Sequence, residues 1–306
     1  MKAITMKMAT SKTSKMVIGA INCAMMVLAS TPSIAEVSAR KPVDPKGQFA
    51  KLAGQITQLP KEKSEAFGNA FIVGSEGCHI LTNFHVAFGK SFDEEGSLET
   101  VENVDVGHTV NFSFDLDAKT GKFKRTMKAK VVEFGNFEEG TARGLLGDIA
   151  ILRLENCLGK EYGQLEFDRP EQGKLIPTGR LMTVSSMKDA QGKNTVLAQD
   201  GCQALPGTSV TGTIMTNCES QPGSSGMMVL EEGKDGKWRL AGLHARGMTL
   251  TGGQKVTRAL YASTINKFVD PILGGEAPIA ISPLADDRKP QSDTQTAQAP
   301  TRTVVR

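Results

Sequence analysis

Residues 217–230, NCESQPGSSGMMVL, place two serines between Gly223 and Gly226, with a cysteine upstream and an apolar run after them. Clustered Pro, Gly and Ser before an apolar run usually mark a loop that leads into a strand. The same letters fit a tight turn that presents one serine as a nucleophile, because glycine adopts conformations that other residues avoid. Taken alone, the stretch favours the plain loop. The choice depends on whether the chain also supplies a base and a carboxylate for a serine.

The chain contains four histidines, and one of them is a good candidate base. His79 lies within a predicted strand and His108 at the start of another, where packed or surface roles are the ordinary interpretation. His85 follows the apolar run ILTNF, where a strand gives way to a loop or helical turn, and catalytic side chains often stand at such positions. Asp148 directly precedes the run IAILRL and is the candidate carboxylate. Its alternative role is a cap at the entry of a strand.

The order of these residues, His85, Asp148 and then Ser225, is the order of chymotrypsin-like triads and not that of the α/β-hydrolases. The hydrolase elbow also requires a glycine two residues after the serine, where this chain has Met227. The segments ILTNFHV, GDIAIL and PGSSGMMV resemble the three signatures around the triad of the trypsin-like serine peptidases, over about residues 66–272. NCESQPGSSG and GLHARG resemble the bacterial glutamyl endopeptidase branch in particular. The resemblance implies that Ser225, and not Ser224, is the nucleophile.

This resemblance implies an all-β fold of two six-stranded β-barrels, with the active site between them. His85 and Asp148 would belong to the first barrel and Ser225 to the second. The implied reaction is hydrolysis of a polypeptide substrate through an acyl-enzyme, without a cofactor and without a metal. The backbone N–H groups of Gly223 and Ser225 would form the oxyanion hole. Three strand residues would pair with the substrate backbone as an added strand: Ala245, Arg246 and Gly247.

The spacing of apolar runs agrees with this architecture. Short β-rich runs separated by Gly, Asp, Asn and Lys predict hairpins, and they fall into two sets on either side of a Gly- and Pro-rich linker at 156–180. We assign 61–165 to the first barrel and 166–275 to the second. Residues 262–273, ASTINKFVDPIL, predict a short C-terminal helix that ends near Pro271.

The two ends of the chain have other compositions. Residues 36–60 contain Pro42, Pro45 and Pro60, which indicate an extended N-terminal arm. Residues 276–306 are rich in Pro, Gln, Thr, Ala and Asp and are predicted to be a disordered tail.

Residues 1–35 have the pattern of a secretory signal. Four lysines precede a short apolar core, and small residues at Ser33 and Ala35 fit cleavage after Ala35. A retained membrane anchor is the alternative, but the apolar stretch is shorter than the ~20 residues that a span requires. We therefore expect an exported protein, periplasmic or secreted, that is not bound to a membrane after signal cleavage.

The net charge of +3 comes from the signal, because 32 basic and 33 acidic residues remain once its four lysines are removed. A slightly acidic mature chain gives no indication of nucleic-acid binding.

Four cysteines remain after cleavage, and an even number in an exported chain indicates disulfides. No pair has the close C-x2-C spacing of a zinc site, so we expect no bound metal. Of the three possible connectivities we predict Cys78–Cys157 and Cys202–Cys218. The second pair closes a short loop just before Ser225, and the first brackets the segments of His85 and Asp148.

The residues around the nucleophile also carry information on specificity. In the glutamyl endopeptidases, a histidine in a GIH-type strand and a hydroxyl residue five positions before the nucleophile line the primary pocket. His244 and Ser220 occupy those positions here, which implies a preference for acidic residues on the amino side of the cleaved bond. A packed strand histidine is the alternative. Glu219 lies where trypsins carry the acid that selects Lys or Arg, and we expect it to point outward because Cys218 beside it is held by the bridge to Cys202.

Two further positions depart from the family pattern. Ser224 stands where digestive trypsins have the aspartate that pairs with a new N-terminus, and no IVGG-like start is present. Activation through that ion pair is therefore not expected, although trimming of the arm stays open. Met227 and Met228 replace small residues and would either crowd the cleft or fill the barrel.

Two rival functions remain beside the peptidase. A catalytically weak trypsin-like module could bind a partner instead of cleaving it. A chaperone-protease would carry a peptide-binding domain after the second barrel, and 276–306 is too short for one.

Overall fold

The computed structural model describes residues 39–44, 47–58, 66–89, 105–137, 144–159, 162, 165–170, 176–189, 191–206, 212–250, 253 and 255–273. The predicted signal at 1–35 and the predicted tail at 276–306 lie outside these residues. Within the described ranges, no helix is long and apolar enough to span a membrane. The strands in chain order are β1 (Lys41–Pro42), β2 (Ala53–Gln58), β3 (Ala66–Val73), β4 (His79–Thr82), β5 (Thr109–Asp117), β6 (Lys122–Phe134), β7 (Ala150–Leu154), β8 (Leu181–Lys188), β9 (Asn194–Cys202), β10 (Thr213–Thr216), β11 (Met228–Glu232), β12 (Trp238–Thr249) and β13 (Lys255–Tyr261).

Six antiparallel strands form a closed barrel in the order β2-β3-β4-β7-β6-β5. The alternation of β5 shows how sequence determines this barrel, because every second side chain of Thr109–Asp117 is buried. Its inward residues are Val110, Phe112, Phe114 and Leu116. Two short helices accompany the barrel, α1 (Gln48–Leu52) and α2 (Phe84–Ala87), and α2 begins two residues after β4 ends.

Strand β1 of the arm and six strands of the second half of the chain form a seven-stranded sheet in the order β1-β9-β8-β11-β12-β13-β10. The end strand β10 meets the segment that follows β9, where Ala204 bridges to Thr216 and the Leu205 N–H donates to the Met215 carbonyl at 2.8 Å. The sheet therefore curls toward a second barrel. The predicted helix is present as α3 (Ala262–Leu273), and its apolar residues Ile265 and Val269 are buried.

The predicted boundary between arm and first barrel needs correction. Strand β2 lies inside the predicted arm of 36–60 and pairs with both β3 and β5, so the first barrel begins before residue 61. Only one residue of β2 is strongly apolar, Ile56, and Gln55 beside it is buried with a polar side chain. For this reason the strand carries little of the alternating pattern that marked the others.

Both predicted disulfides are confirmed. Cys78 is joined to Cys157, which ties the turn before β4 to the segment after β7, and Cys202 is joined to Cys218. Met227 and Met228 are both buried, and Met228 belongs to the hydrophobic core, whereas the Met227 sulfur lies 4.0 Å from Arg40 Nη2.

Candidate active site

His85 and Asp148 lie together, each in a segment that connects strands of the first barrel. His85 is on α2, and its Nδ1 is 3.0 Å from both carboxylate oxygens of Asp148. The backbone N–H of His85 donates to the same carboxylate at 3.2 Å. Both residues are buried, with 4 % and 2 % of their surface exposed. A carboxylate held by these two bonds fixes the tautomer and the orientation of the imidazole ring.

The neighbours of this pair keep it in place. The Asn83 side-chain amide donates to the Asp148 carbonyl oxygen at 2.9 Å, which links the start of α2 to the entry of β7. Phe137 lies beside the His85 ring, with 6.4 Å between ring centroids. The segment that carries Asp148 is thus attached to the segment that carries His85 through backbone and side chain alike.

Residues 218–226, here called the nucleophile loop, connect β10 to β11. Gly223 has φ +85° and Gly226 has φ +79°, a region that glycine enters without strain. The Ser225 hydroxyl is partly exposed and donates to the Ala245 carbonyl oxygen at 3.3 Å. Ser224 is buried instead, at 1 % exposure. Of the two serines, only Ser225 therefore reaches solvent.

Two backbone donors in this loop stay available. Among the described residues, neither the Gly223 N–H nor the Ser225 N–H has an acceptor, while the Ser224 N–H between them donates to the Gln221 carbonyl at 2.9 Å. An unpaired pair of N–H groups beside a serine hydroxyl can stabilise an oxyanion that forms on a substrate carbonyl.

The first barrel contacts the nucleophile loop directly. The Asn69 backbone N–H on β3 donates to the Ser225 carbonyl oxygen at 2.7 Å. Gly68 lies between the two halves of the site, since a methyl group there would be 2.7 Å from the Val86 side chain and 2.8 Å from the Ser225 carbonyl oxygen. These contacts bring the nucleophile loop against the helix that carries His85.

Strand β12 provides an open edge beside Ser225. Its pairing with β11 ends at Leu243, so on that side residues 245–247 have no strand partner among the described residues. The other side is occupied by β13, through Arg246 with Arg258 and Gly247 with Thr257. An extended peptide can therefore add to this edge. Arg246 and Arg258 are both partly buried, and desolvation and then the charge of Arg246 lower the pKa of Arg258.

The predicted pocket residues lie in contact with each other. The Ser220 hydroxyl is 3.1 Å from His244 Nε2, and a side chain at Gly247 would collide with that hydroxyl at 2.7 Å. His244 is buried at 1 % exposure, and its Nδ1 has no partner among the described residues. Burial, followed by the charges of Arg40 and His85, lowers the pKa of His244 to about 3. The ring is consequently neutral at pH 7.

Glu219 is largely exposed to solvent, which agrees with its predicted outward orientation. Its side chain is 63 % exposed and lies 3.9 Å from the Arg40 guanidinium. Its backbone N–H donates to the Gln199 side chain at 2.7 Å.

Sequence reasoning missed two residues that contact the nucleophile loop. Asn69 is buried at 2 % exposure, and its side-chain amide donates to the Gly223 carbonyl at 2.7 Å. Arg40 of the arm has a side chain that is 7 % exposed and donates to the Glu219 carbonyl oxygen in the same loop. Neither residue has a sequence signal, because a single Asn in a β-run or a single Arg in an arm is an ordinary occurrence.

Comparison with known proteins supports the fold. No family model matches the sequence, and no curated protein matches it. Among solved structures, neuropsin, a serine protease expressed in the limbic system of mouse brain, superimposes with a TM-score of 0.50 at 14% sequence identity, covering 76% of this chain and 97% of neuropsin. A Glu endopeptidase solved in complex with MPD gives a TM-score of 0.49 at 14% identity, covering 75% of this chain and 95% of the other.

The order of elements, the closed barrel with its companion sheet, the C-terminal helix and the likeness to neuropsin agree with one another. The chain has the chymotrypsin fold of the trypsin-like serine proteases.

Proposed function

We propose that this chain is an exported serine endopeptidase that cleaves polypeptides through Ser225, His85 and Asp148. The observation that carries the proposal is the buried contact between His85 Nδ1 and the Asp148 carboxylate, at 3.0 Å. Such a pair directs Nε2 of the ring toward an incoming proton and stabilises the imidazolium that forms. The two disulfides fit an oxidising compartment and support the export that the N-terminal signal predicts.

The proposed reaction starts when Ser225 releases its hydrogen bond to the Ala245 carbonyl and passes its proton to His85. The Ser225 oxygen then attacks the substrate carbonyl carbon, and the N–H groups of Gly223 and Ser225 bind the resulting oxyanion. His85 returns the proton to the leaving amine, and water hydrolyses the acyl-enzyme by the same steps in reverse roles. Each oxyanion donor typically contributes about 10²–10³-fold in turnover.

The substrate would lie along residues 245–247 as an added strand, which supports cleavage within extended polypeptides rather than at a small-molecule ester alone. In the primary pocket formed by Ser220, His244 and Gly247, an acidic side chain would accept hydrogen bonds from the serine hydroxyl and the neutral imidazole. Hydrogen bonds to a charged carboxylate are worth about 1.5–3 kcal/mol each, which is enough for strong discrimination.

The proposal is tested with a fluorophosphonate probe, which reacts only with an activated serine. The purified exported protein is labelled, digested and mapped, beside the Ser225→Ala and Ser224→Ala variants. We expect label on Ser225 in the wild type, none in Ser225→Ala, and retained label on Ser225 in Ser224→Ala. Folded wild-type protein that takes no label would support the binding module instead, and label on Ser224 would overturn the assignment of the nucleophile.

A further inference from the structure

The arm carries one charged side chain, that of Arg40, to a largely buried position against the nucleophile loop. Residues Lys41 and Pro42 pair with Ala198 and Leu197 of β9, and the Val43 N–H donates to the Val196 carbonyl at 3.0 Å. Arg40 directly precedes this anchor. Its side chain is 7 % exposed, although it belongs to a residue type that is almost never fully buried without partners.

The Arg40 guanidinium ends beneath the nucleophile loop. Nη2 donates to the Glu219 carbonyl oxygen, and both terminal nitrogens lie 3.4 Å from the Ser224 hydroxyl oxygen. Nη1 also lies 3.1 Å from the Met187 sulfur. The Ser224 oxygen in turn accepts the Gln221 N–H at 3.1 Å. One rigid planar cation therefore contacts the loop near its beginning and again at the residue before the nucleophile.

Burying the Arg40 guanidinium costs solvation free energy that its partners must offset. Burial lowers the pKa of Arg40, and the charge that opposes this effect is Glu219. That carboxylate is 63 % exposed and 3.9 Å away, a separation at which a solvated ion pair contributes little. The guanidinium is therefore held mainly by the loop's own carbonyl and hydroxyl oxygens, and it holds them in return.

We propose that Arg40 is a positioning residue for the nucleophile loop and that the arm is a retained part of the active protein. By fixing Glu219 and Ser224, the guanidinium orients the peptide groups between them, including the one that presents the Gly223 N–H. It also holds Ser224, whose carbonyl carbon is bonded to the Ser225 nitrogen. The contact also places a positive charge near the primary pocket, since Arg40 contributes to the lowered pKa of His244. This inference rests on the proposed peptidase function for its kinetic consequences, but the contact itself does not.

The test compares Arg40→Ala and Arg40→Lys with Lys41→Ala. Lys41 is the matched control, because it directly follows Arg40 at the start of β1 and is exposed. We expect kcat to fall about 10²-fold in Arg40→Ala with a KM within about threefold of wild type, since displaced catalytic groups lose turnover without losing uniform binding. Lysine keeps the charge but not the planar fork, so Arg40→Lys should recover only part of the loss, while Lys41→Ala should match the wild type.

Two further measurements separate positioning from a general loss of stability. Methylguanidinium added to Arg40→Ala should restore a large part of kcat by occupying the vacated space, and should not affect Lys41→Ala. Amide hydrogen exchange in residues 219–225 should be faster in Arg40→Ala, with unchanged exchange in the strands of the first barrel.

The outcomes are distinct. The proposal is overturned if Arg40→Ala has the kcat and the amide exchange of the wild type. It is also overturned if Arg40→Lys has the kcat of the wild type and methylguanidinium does not restore activity to Arg40→Ala. If the wild-type protein neither cleaves peptides nor binds the probe, the peptidase function fails. Faster exchange in Arg40→Ala would still support the positioning contact in that case, and unchanged exchange would refute it.

Discussion

The side-chain amide of Asn69, on β3 of the first barrel, donates a 2.7 Å hydrogen bond to the carbonyl oxygen of Gly223, on the nucleophile loop of the second sheet. Its oxygen accepts the backbone N–H of Ser186 on β8 at 2.6 Å. A single buried side chain thus fixes the loop to two other elements. Because Gly223 also provides one of the two unpaired N–H groups, the hydrogen bond to its carbonyl restrains the residue that carries a candidate oxyanion donor.

We therefore expect Asn69→Ala to reduce kcat by about 10²-fold, the loss that small displacements of catalytic groups produce. The variant also leaves the buried Ser186 N–H without its acceptor, which should lower the free energy of unfolding by about 1–3 kcal/mol. The Gly223 carbonyl loses the same partner but belongs to an exposed residue, where water can replace the hydrogen bond. Steady-state kinetics and urea unfolding measure the two effects.

Asn194→Ala is the matched control for Asn69. Its side chain also links the two halves of the molecule, through the Gly121 carbonyl at 3.1 Å and the Gln55 side chain, but away from the nucleophile loop. We expect a loss of stability with a kcat close to that of wild type. Equal kcat for the Asn69 and Asn194 variants would show that the amide has no special effect on the loop.

Profiling on a mixed peptide library tests the primary pocket. We expect cuts after Glu, a loss of that preference in Ser220→Ala and His244→Phe, and no change in Glu219→Gln, because the Glu219 side chain is largely exposed. Discrimination should fall by about 10–100-fold for each lost hydrogen bond to the carboxylate. Cuts after Lys or Arg that disappear in Glu219→Gln would contradict this assignment of the pocket.

The lowered pKa of His244 predicts a dependence of stability on pH. The folded-state pKa is about 3 and the ordinary value is 6.5, so between these values the unfolded chain binds a proton that the folded chain does not. The contribution of His244 to the free energy of unfolding is therefore constant above about pH 6.5 and falls as the pH drops toward 3, with a limiting slope of about 1.4 kcal/mol per pH unit.

Urea unfolding of Ser225→Ala and of the double variant Ser225→Ala/His244→Gln, which avoid self-digestion, measures this contribution. At pH 7 the double variant should be the less stable of the two, and the difference should shrink as the solution is acidified. A difference that is independent of pH from 7 to 4 would show that His244 already titrates normally in the folded protein.

The disulfides should differ in their effects. By the chain-entropy estimate, Cys202→Ser/Cys218→Ser loses about 3 kcal/mol of stability and Cys78→Ser/Cys157→Ser loses about 4–5 kcal/mol. The loss is larger for Cys78–Cys157 because this disulfide closes the longer loop. The Cys218 carbonyl also accepts the Thr257 hydroxyl at 2.8 Å, next to the nucleophile loop. We therefore expect kcat/KM to fall mainly in the first variant, measured at a temperature where both remain folded. The reverse order of kinetic effects would contradict this assignment.

The sequence predicted those parts of the structure that depend on local pattern. The alternation of β5 and the apolar runs of the other long strands identified the fold class, and the segments around His85, Asp148 and Ser225 identified the candidate site by resemblance. Strand β2 was missed because Ile56 is its only strongly apolar residue, and the strand is specified by the neighbours that it joins.

Contacts between distant residues were not predictable in the same way. Asn69 and Gly223 are 154 positions apart, and Arg40 and Ser224 are 184 positions apart. Whether a polar side chain reaches a carbonyl at such a separation depends on how the two halves of the molecule pack. No periodicity or spacing in a single chain encodes that packing.

Strand β1 is only two residues long and lies at the edge of its sheet, with β9 as its one neighbour among the strands that the structure describes. If the arm positions the nucleophile loop through Arg40, then a foreign peptide that displaced β1 from β9 would withdraw the guanidinium and inactivate the protein. Such an inhibitor would bind along β9 and not along the substrate edge of β12, so raising the substrate concentration would not relieve it. The short edge strand thus offers a site of noncompetitive inhibition that resembles neither a substrate mimic nor a serine-directed reagent.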